Sequence, residues 1–243
     1  MTGISLRGKT ALITGIGSGI GREVALRLAQ GGANLVLAGR GEDALLETQA
    51  GVNIAGADSL ILSADVTCSE QIDHLVAQAV QTFGTIDILV NSAGVGSLKP
   101  LDQVTPDDID RLLGVNVRGT ILATQAALRP MIANARGGHI INIAGILGRV
   151  PMANASVYCA SKYAVTGFSK ALQLEVSRKH SIKVPLMYFG GVDSPFWDTL
   201  DMRVQRDKML SVGDTTGAIV YALTVPSNLV LGEITLPPDS HQL

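Results

Sequence analysis

Short apolar runs alternate with longer stretches of helical spacing along almost the whole chain. The first run, residues 9–14 (KTALIT), leads through the turn GIGSGIG into a segment in which Val24, Leu26 and Leu28 recur at helical intervals. Residues 34–38 (NLVLA) are the second expected strand, with a helix from about Glu42. A third strand is expected at 60–64, then a helix from Ser69 carrying Gln71, Ile72 and Leu75, then a fourth strand over 86–90 that ends at Asn91. Thr105-Pro106-Asp107-Asp108 opens a further helix, with a capping threonine, a proline in the first turn and acids suited to the helix dipole. That helix is expected to run to about Arg129, with Pro130 near its end. Gly137-Gly138 precede a fifth strand at 139–143, and Ser156 is placed to cap the helix that carries Tyr158 and Lys162. A sixth strand is expected at 182–188 and a short seventh at 233–236.

Strands separated by helical segments of roughly ten or more residues imply βαβ crossovers and a parallel sheet. The pattern predicts one α/β domain over residues 1–243, a doubly wound, mostly parallel, seven-stranded sheet with helices on both faces. The least regular part, about 189–213, lies beyond a strand's carboxyl end, where open sheets of this kind bind ligands, and is a candidate substrate lid. Phe196, Trp197, Met202 and Leu210 would give it an apolar roof. Arg203, Arg206 and Lys208 either meet an acidic group or form a solvated face with Asp201 and Asp207 interleaved.

Composition narrows this picture. Hydrophobic residues make up 47% and aromatics only 4%, so the interior is built from Ala, Val, Ile and Leu, which suits buried parallel strands. A net charge of −2 with no Lys/Arg run argues against a nucleic-acid partner. No apolar run reaches the roughly 18 residues that span a bilayer, and MTGISLRGKT has no signal-peptide core. A cytoplasmic protein without a membrane partner is expected. Cys68 and Cys159 are far apart and fit no disulfide or metal pattern, so no metal is expected.

Candidate chemistry falls in two places. Tyr158 and Lys162 are four apart, hence neighbours on one helical face, and an ammonium near a phenol would lower its pKa and fit it for proton transfer. The plain alternative is a packed tyrosine beside a solvated lysine. The turn Gly15-Ile16-Gly17-Ser18-Gly19-Ile20-Gly21 joins a strand to a helix, so its amides and the helix N-terminus can hold the pyrophosphate of a dinucleotide. At the end of the second strand Gly39 and Arg40 stand where an acid would select NAD(H), and an arginine suits the 2′-phosphate of NADP(H) unless it is merely solvated. Asp65 either accepts from an adenine amino group or stabilises its own turn.

These separated motifs give the chain a resemblance, over essentially its whole length, to the short-chain dehydrogenase/reductase family. The residues that carry it are Thr14-Gly15 with Gly19 and Gly21, Asp65-Val66, Asn91-Ser92-Ala93-Gly94, Asn116, Tyr158 with Lys162, and Gly190-Gly191-Val192-Asp193-Ser194-Pro195. The carboxyl-terminal stretch looks most like the branch that acts on 3-hydroxy acids and similar alcohols. The resemblance implies a Rossmann-type fold in which Gly15, Ser18, Gly19, Ile20 and Gly21 hold the pyrophosphate and Asp65 and Val66 the adenine. Asn91, Ala93 and Gly94 would serve the adenosine-side ribose and the sheet core, and Val192 and Ser194 the nicotinamide carboxamide. Tyr158 would be the general acid/base, Lys162 would bind the nicotinamide ribose and tune the tyrosine, and Asn116 would anchor a water path. A homodimer or homotetramer is implied, packing the helices around 107–129 and 157–179.

Three positions depart from the family pattern. The serine that polarises the substrate usually lies thirteen residues before the tyrosine and three before a glycine; counting from Tyr158 and from Gly148 gives Gly145. Phe189 replaces a proline, placing a large ring near the nicotinamide or substrate mouth, and Ser92 replaces a second asparagine. Gly145, Tyr158, Phe189 and Phe196 are the expected substrate contacts. The missing hydrogen bond could come from Asn142, Asn154, Ser156 or Tyr188, from the substrate or from a water, or the glycine could admit a bulky substrate. The leading expectation is an NADP(H)-dependent oxidoreductase interconverting an alcohol and a ketone or aldehyde. The alternatives are a dinucleotide-binding scaffold or sensor, rescued by Gly145→Ser, and a dehydratase or epimerase that uses the same cofactor.

Overall fold

The computed structural model describes residues 5–200, 202–226 and 228–239. Strand β1 (Thr10–Thr14), helix α1 (Gly19–Gln30), β2 (Asn34–Gly39), α2 (Glu42–Ile54), β3 (Ser59–Ser63), α3 (Ser69–Phe83) and β4 (Ile88–Asn91) follow one another in strict alternation. Helices α4 (Pro106–Leu113) and α5 (Thr120–Asn134) lead to β5 (Gly138–Ile143), and α6 (Ser156–His180) leads to β6 (Ile182–Lys183) and β7 (Leu186–Phe189). Helix α7 (Val212–Thr224) and β8 (Glu233–Leu236) complete the described chain. The sheet order is β3-β2-β1-β4-β5-β7-β8, with β6 also on β5, and every pairing is parallel. The order in which strands are added reverses between β1 and β4, which opens a crevice at the carboxyl ends of the strands, where the glycine turn lies.

Period-two alternation along the strands feeds two cores. Ala11, Ile13, Leu35, Leu37, Ile88 and Val90 pack with α1, α2 and α7 on one face. Leu12, Val36, Leu89 and Ile140 pack with α3, α5 and α6 on the other. All five residues of β1 are buried, as a strand covered on both faces requires.

Four boundaries differ from expectation. The expected sixth strand is two strands, because Pro185 has no N–H to give a ladder: the Val184 amide donates to Gln173 Oε1 at 2.7 Å, and the Pro185 carbonyl accepts from the Asn142 amide at 3.2 Å. The sheet therefore has eight strands instead of seven. The Thr105 capping box forms, but the helix behind it is interrupted by a π-helical turn, Gly114–Gly119. Pro130 lies inside α5, close enough to its end that four residues follow before Ala135 turns left-handed. Ser156 is the first residue of α6, and Ala155 occupies the cap position with no side-chain bond, so the expected serine cap is not made. No helix among the described residues is long and apolar enough to cross a membrane.

Candidate active site

The strand ends, the glycine turn and the 190–200 segment enclose a cavity of about 470 Å³. The glycine turn enters it because two of its glycines permit close packing behind it. A Cβ on Gly15 would stand 2.5 Å from the Ala93 amide nitrogen, and one on Gly21 would stand 2.4 Å from the Gly15 carbonyl oxygen. The Gly15 amide is already bonded to the Ala38 carbonyl at 2.9 Å, and Gly21 does not line the cavity. Ser18, Gly19 and Ile20, at the N-terminus of α1, do line it, together with Gly15. The first turn of α1 contains no acid, so the positive end of its dipole is not neutralised. A dinucleotide fits this cradle.

Arg40 lines the same cavity and is exposed, whereas Glu42 begins α2 outside it. Asp65 and Val66 do not line it. Asp65 Oδ1 accepts from the Thr67 amide and hydroxyl, both at 2.8 Å, so the turn-forming role is the one displayed. The Thr67 amide holds the Asp65 carboxyl below its usual pKa against the opposing effect of desolvation, helped by the Thr67 hydroxyl and the nearby charge of Arg40. Val66 packs where a Cβ on Gly119 would come within 2.6 Å of it. Asn91 is a sheet residue, donating to Thr124 at 3.0 Å and Asn142 at 2.8 Å, while Ala93 and Gly94 do reach the cavity.

Tyr158 and Lys162 face this cavity together from α6. The Tyr158 hydroxyl has no protein hydrogen-bond partner among the described residues, and its ring lies 6.2 Å from that of Phe196. Lys162 is buried, its Nζ donates to the Ile143 carbonyl at 3.0 Å, and it stands 5.7 Å from the Tyr158 ring centroid. The expected lowering of the phenol by the ammonium is not what this arrangement gives. Burial pushes the Tyr158 hydroxyl up, with Cys159 acting the same way, and burial pulls Lys162 down to about 8.

Asn116 lies behind the pair in the π-helical turn, not in the cavity wall. Its Oδ1 accepts from the Val95 amide at 2.8 Å, and its Nδ2 donates to the Val95 carbonyl at 2.9 Å and to Ser161 at 3.0 Å. The Ser161 hydroxyl in turn donates to the Tyr158 carbonyl at 2.7 Å. Ser161 was no part of the sequence expectation, yet it couples the turn to α6. A serine between the two motif residues is the only signal that sequence offered.

Gly145 lies in the cavity wall at φ +69° and ψ 166°, a backbone region essentially confined to glycine. A Cβ there would meet nothing closer than the Phe189 carbonyl oxygen at 3.7 Å, so the backbone, not crowding, requires the glycine. Gly145→Ser is therefore expected to destabilise the fold by about 1–3 kcal/mol, lowering Tm by several degrees in a thermal melt; an unchanged Tm would contradict this. None of the four side chains expected to replace the serine hydroxyl lines the cavity. Asn142 is fully buried between Asn91 and Ser169, Asn154 and Ser156 are exposed, and Tyr188 is buried under the Arg149 guanidinium.

The 190–200 segment closes the far side. Val192 and Ser194 line the cavity, and Trp197 Nε1 donates to the Val192 carbonyl at 2.8 Å. Phe196 seats against Gly96, where a Cβ would come within 2.5 Å of its ring. Phe189 lines the cavity but is 3% exposed and belongs to the core, so its ring is held in packing and does not hang over the mouth. Of the expected roof, Phe196 and Trp197 take part, whereas Met202 is exposed and Leu210 is tied beside Val192 by a β-bridge. Arg206 pairs with Asp193 and Asp198, and neither it nor Arg203 nor Lys208 lines the cavity; Asp201 lies outside the described residues. Arg111 and Ser92 do line it, and Arg111 was not expected.

A profile of short chain dehydrogenases matches residues 9–204. An uncharacterised oxidoreductase of Staphylococcus epidermidis is 36% identical over 230 residues, which cover 95% of this chain and 97% of the relative. A metagenomic short-chain oxidoreductase solved in complex with NADP is 28% identical, with a TM-score of 0.83 and 96% and 98% of the two chains covered. A short chain dehydrogenase from Mycobacterium paratuberculosis bound to NAD is 27% identical, with a TM-score of 0.87 and 98% of each chain covered.

Proposed function

Because the chain belongs to the short-chain dehydrogenase family of oxidoreductases, we propose that it interconverts an alcohol and a ketone or aldehyde with NADP(H). The carrying observation is that Tyr158 lines the same cavity as the glycine turn and Arg40. When bound, the reduced dinucleotide supplies a hydride to the carbonyl carbon. Tyr158, protonated at neutral pH, donates its proton to the oxygen and regains one from solvent, so one carbonyl, one NADPH and one proton give one alcohol and one NADP⁺. Lys162 presents positive charge beside the ring, and Asn116 with Ser161 fixes the helix turn that carries both. Equimolar loss of NADPH and gain of alcohol across a panel of ketones and aldehydes tests the reading, and no turnover across that panel overturns it.

The preference for NADP(H) rests on Arg40 in the cavity wall. A hydrogen-bonded charge contributes about 1.5–3 kcal/mol, so Arg40→Ala should raise the KM for NADPH roughly 10- to 100-fold with little effect on NADH. Equal effects on both dinucleotides in steady-state assays would assign the arginine to general attraction instead.

The second reading, a dinucleotide-binding scaffold or sensor, is motivated by Gly145, which brings no side-chain hydroxyl to the cavity wall. Tight NADPH binding without turnover would support it. Rescue by Gly145→Ser is a poor criterion, given the backbone strain that the substitution introduces.

A further inference from the structure

We infer that the substrate bears a carboxylate away from its reacting carbon, and that Arg111 is the residue that recognises it; this rests on the oxidoreductase reading above. Among the described residues, three cationic side chains, Arg40, Arg111 and Lys162, line the cavity, and no aspartate or glutamate does. Two of these cations have work in that reading, Arg40 at the dinucleotide and Lys162 beside Tyr158. Arg111 is the surplus charge.

Its protein contacts leave that charge available. Arg111 Nη2 donates to the Gly96 carbonyl at 3.3 Å, one bond of the five that a guanidinium can donate. Its ion-pair partner among the described residues is Asp108, whose Oδ1 is 3.8 Å away, beyond hydrogen-bond reach, while Oδ2 of the same carboxylate is engaged by Lys99 and by the amide and hydroxyl of Thr105. The side chain is 48% exposed, so the guanidinium is reachable from solvent and from the cavity. The Gly96 bond holds it beside the strip of chain on which Phe196 and Leu200 seat.

The chemistry around it selects the class of anion. Leu98, Ile146, Leu147, Met152, Phe196 and Trp197 give the surrounding walls an apolar character. A single guanidinium in apolar walls matches the charge and the planar fork of one carboxylate, whereas a phosphate dianion would call for further donors. The body of the substrate is then apolar. Its acid would also orient the carbonyl, a task that falls to the substrate itself where Gly145 offers no hydroxyl.

The test compares benzoylpropanoate with benzoylpropanamide, which share an aryl ketone and differ in the charge of the far end. Each is titrated calorimetrically into the protein, with and without saturating NADP⁺, and each is assayed for reduction by NADPH. The acid is expected to bind the wild type about tenfold more tightly than the amide or better, with Arg111→Gln removing most of that preference and Arg111→Lys keeping part of it. Indistinguishable titrations of acid and amide in the wild type, silent ones included, overturn the inference, as does a preference that survives Arg111→Gln. Binding and turnover separate the two claims. An Arg111-dependent preference without reduction of either compound counts against the oxidoreductase reading alone, and reduction of both without preference in binding counts against Arg111 alone.

Discussion

Tyr158→Phe is expected to lower kcat for carbonyl reduction by about 10²–10⁴-fold, the range that a positioned general acid contributes, while the protein still binds NADP(H). The ring keeps its packing against Phe196 and its place beside Lys162, so the loss falls on proton donation and not on the fold. The direction of the tyrosine's pKa shift adds a second expectation. Burial holds the phenol protonated through the neutral range, which suits it to give a proton and disfavours taking one. Reduction in the wild type should therefore be insensitive to any phenol titration near neutrality, and oxidation should gain as the pH becomes alkaline. A kcat that survives Tyr158→Phe within a few-fold, in the same assay, would remove the residue from the mechanism.

Lys162→Met is expected to cost at least about 100-fold in activity, by loss of the electrostatic support at the site, and yet to raise thermal stability. The ammonium is buried, with the Ile143 carbonyl as its one hydrogen-bond acceptor among the described residues, and desolvation pulls its pKa to about 8 from the ordinary 10.5. The folded value lies below the unfolded one, so between about 8 and 10.5 the unfolded chain holds the extra proton. Stability in the wild type should then rise with pH across that window and carry its full burial penalty below it. Methionine removes the penalty, a gain of roughly 1–3 kcal/mol at neutral pH from a shift of this size, less the bond to Ile143. Thermal melts of both proteins between pH 7 and 10.5 (a window set by the shift) read this directly: the curves should converge as the pH rises, and parallel curves would contradict the assignment of a strained, buried charge.

Much of the fold was legible because each strand and helix carries its own signal. The run KTALIT, the glycine turn and the spacing of Val24 and Leu28 specify β1, the turn and α1 without reference to the rest of the chain, and the structure places them so. Features set by one residue in tertiary context were read less well. Pro185 splits a continuous apolar run because a missing N–H matters only where a neighbouring strand would have received it. The π-helical turn at Gly114–Gly119 leaves the apolar spacing almost unchanged, yet it is what turns Asn116 towards Val95 and Ser161.

The site divides in the same way. Tyr158 and Lys162 are four apart on one helix, so their joint presence in the cavity follows from local geometry. Arg111 comes from α4, and beside Asp108 it reads as an ordinary surface ion pair; only the fold shows that Lys99 and Thr105 hold that acid and that the guanidinium borders the cavity. Gly145 was legible as an absence of hydroxyl but not as a backbone requirement. Its positive φ shows that serine is not a neutral exchange at this position.

The most direct measurement of the central claim is label transfer. Incubation of the wild-type protein with benzoylpropanoate and NADPH carrying deuterium on the transferable position of the nicotinamide should give an alcohol with deuterium on its carbinol carbon, one label for each NADP⁺ formed, and Tyr158→Phe should all but abolish the product. A protein that binds the labelled dinucleotide and leaves every carbonyl substrate unlabelled and unreduced would contradict the account.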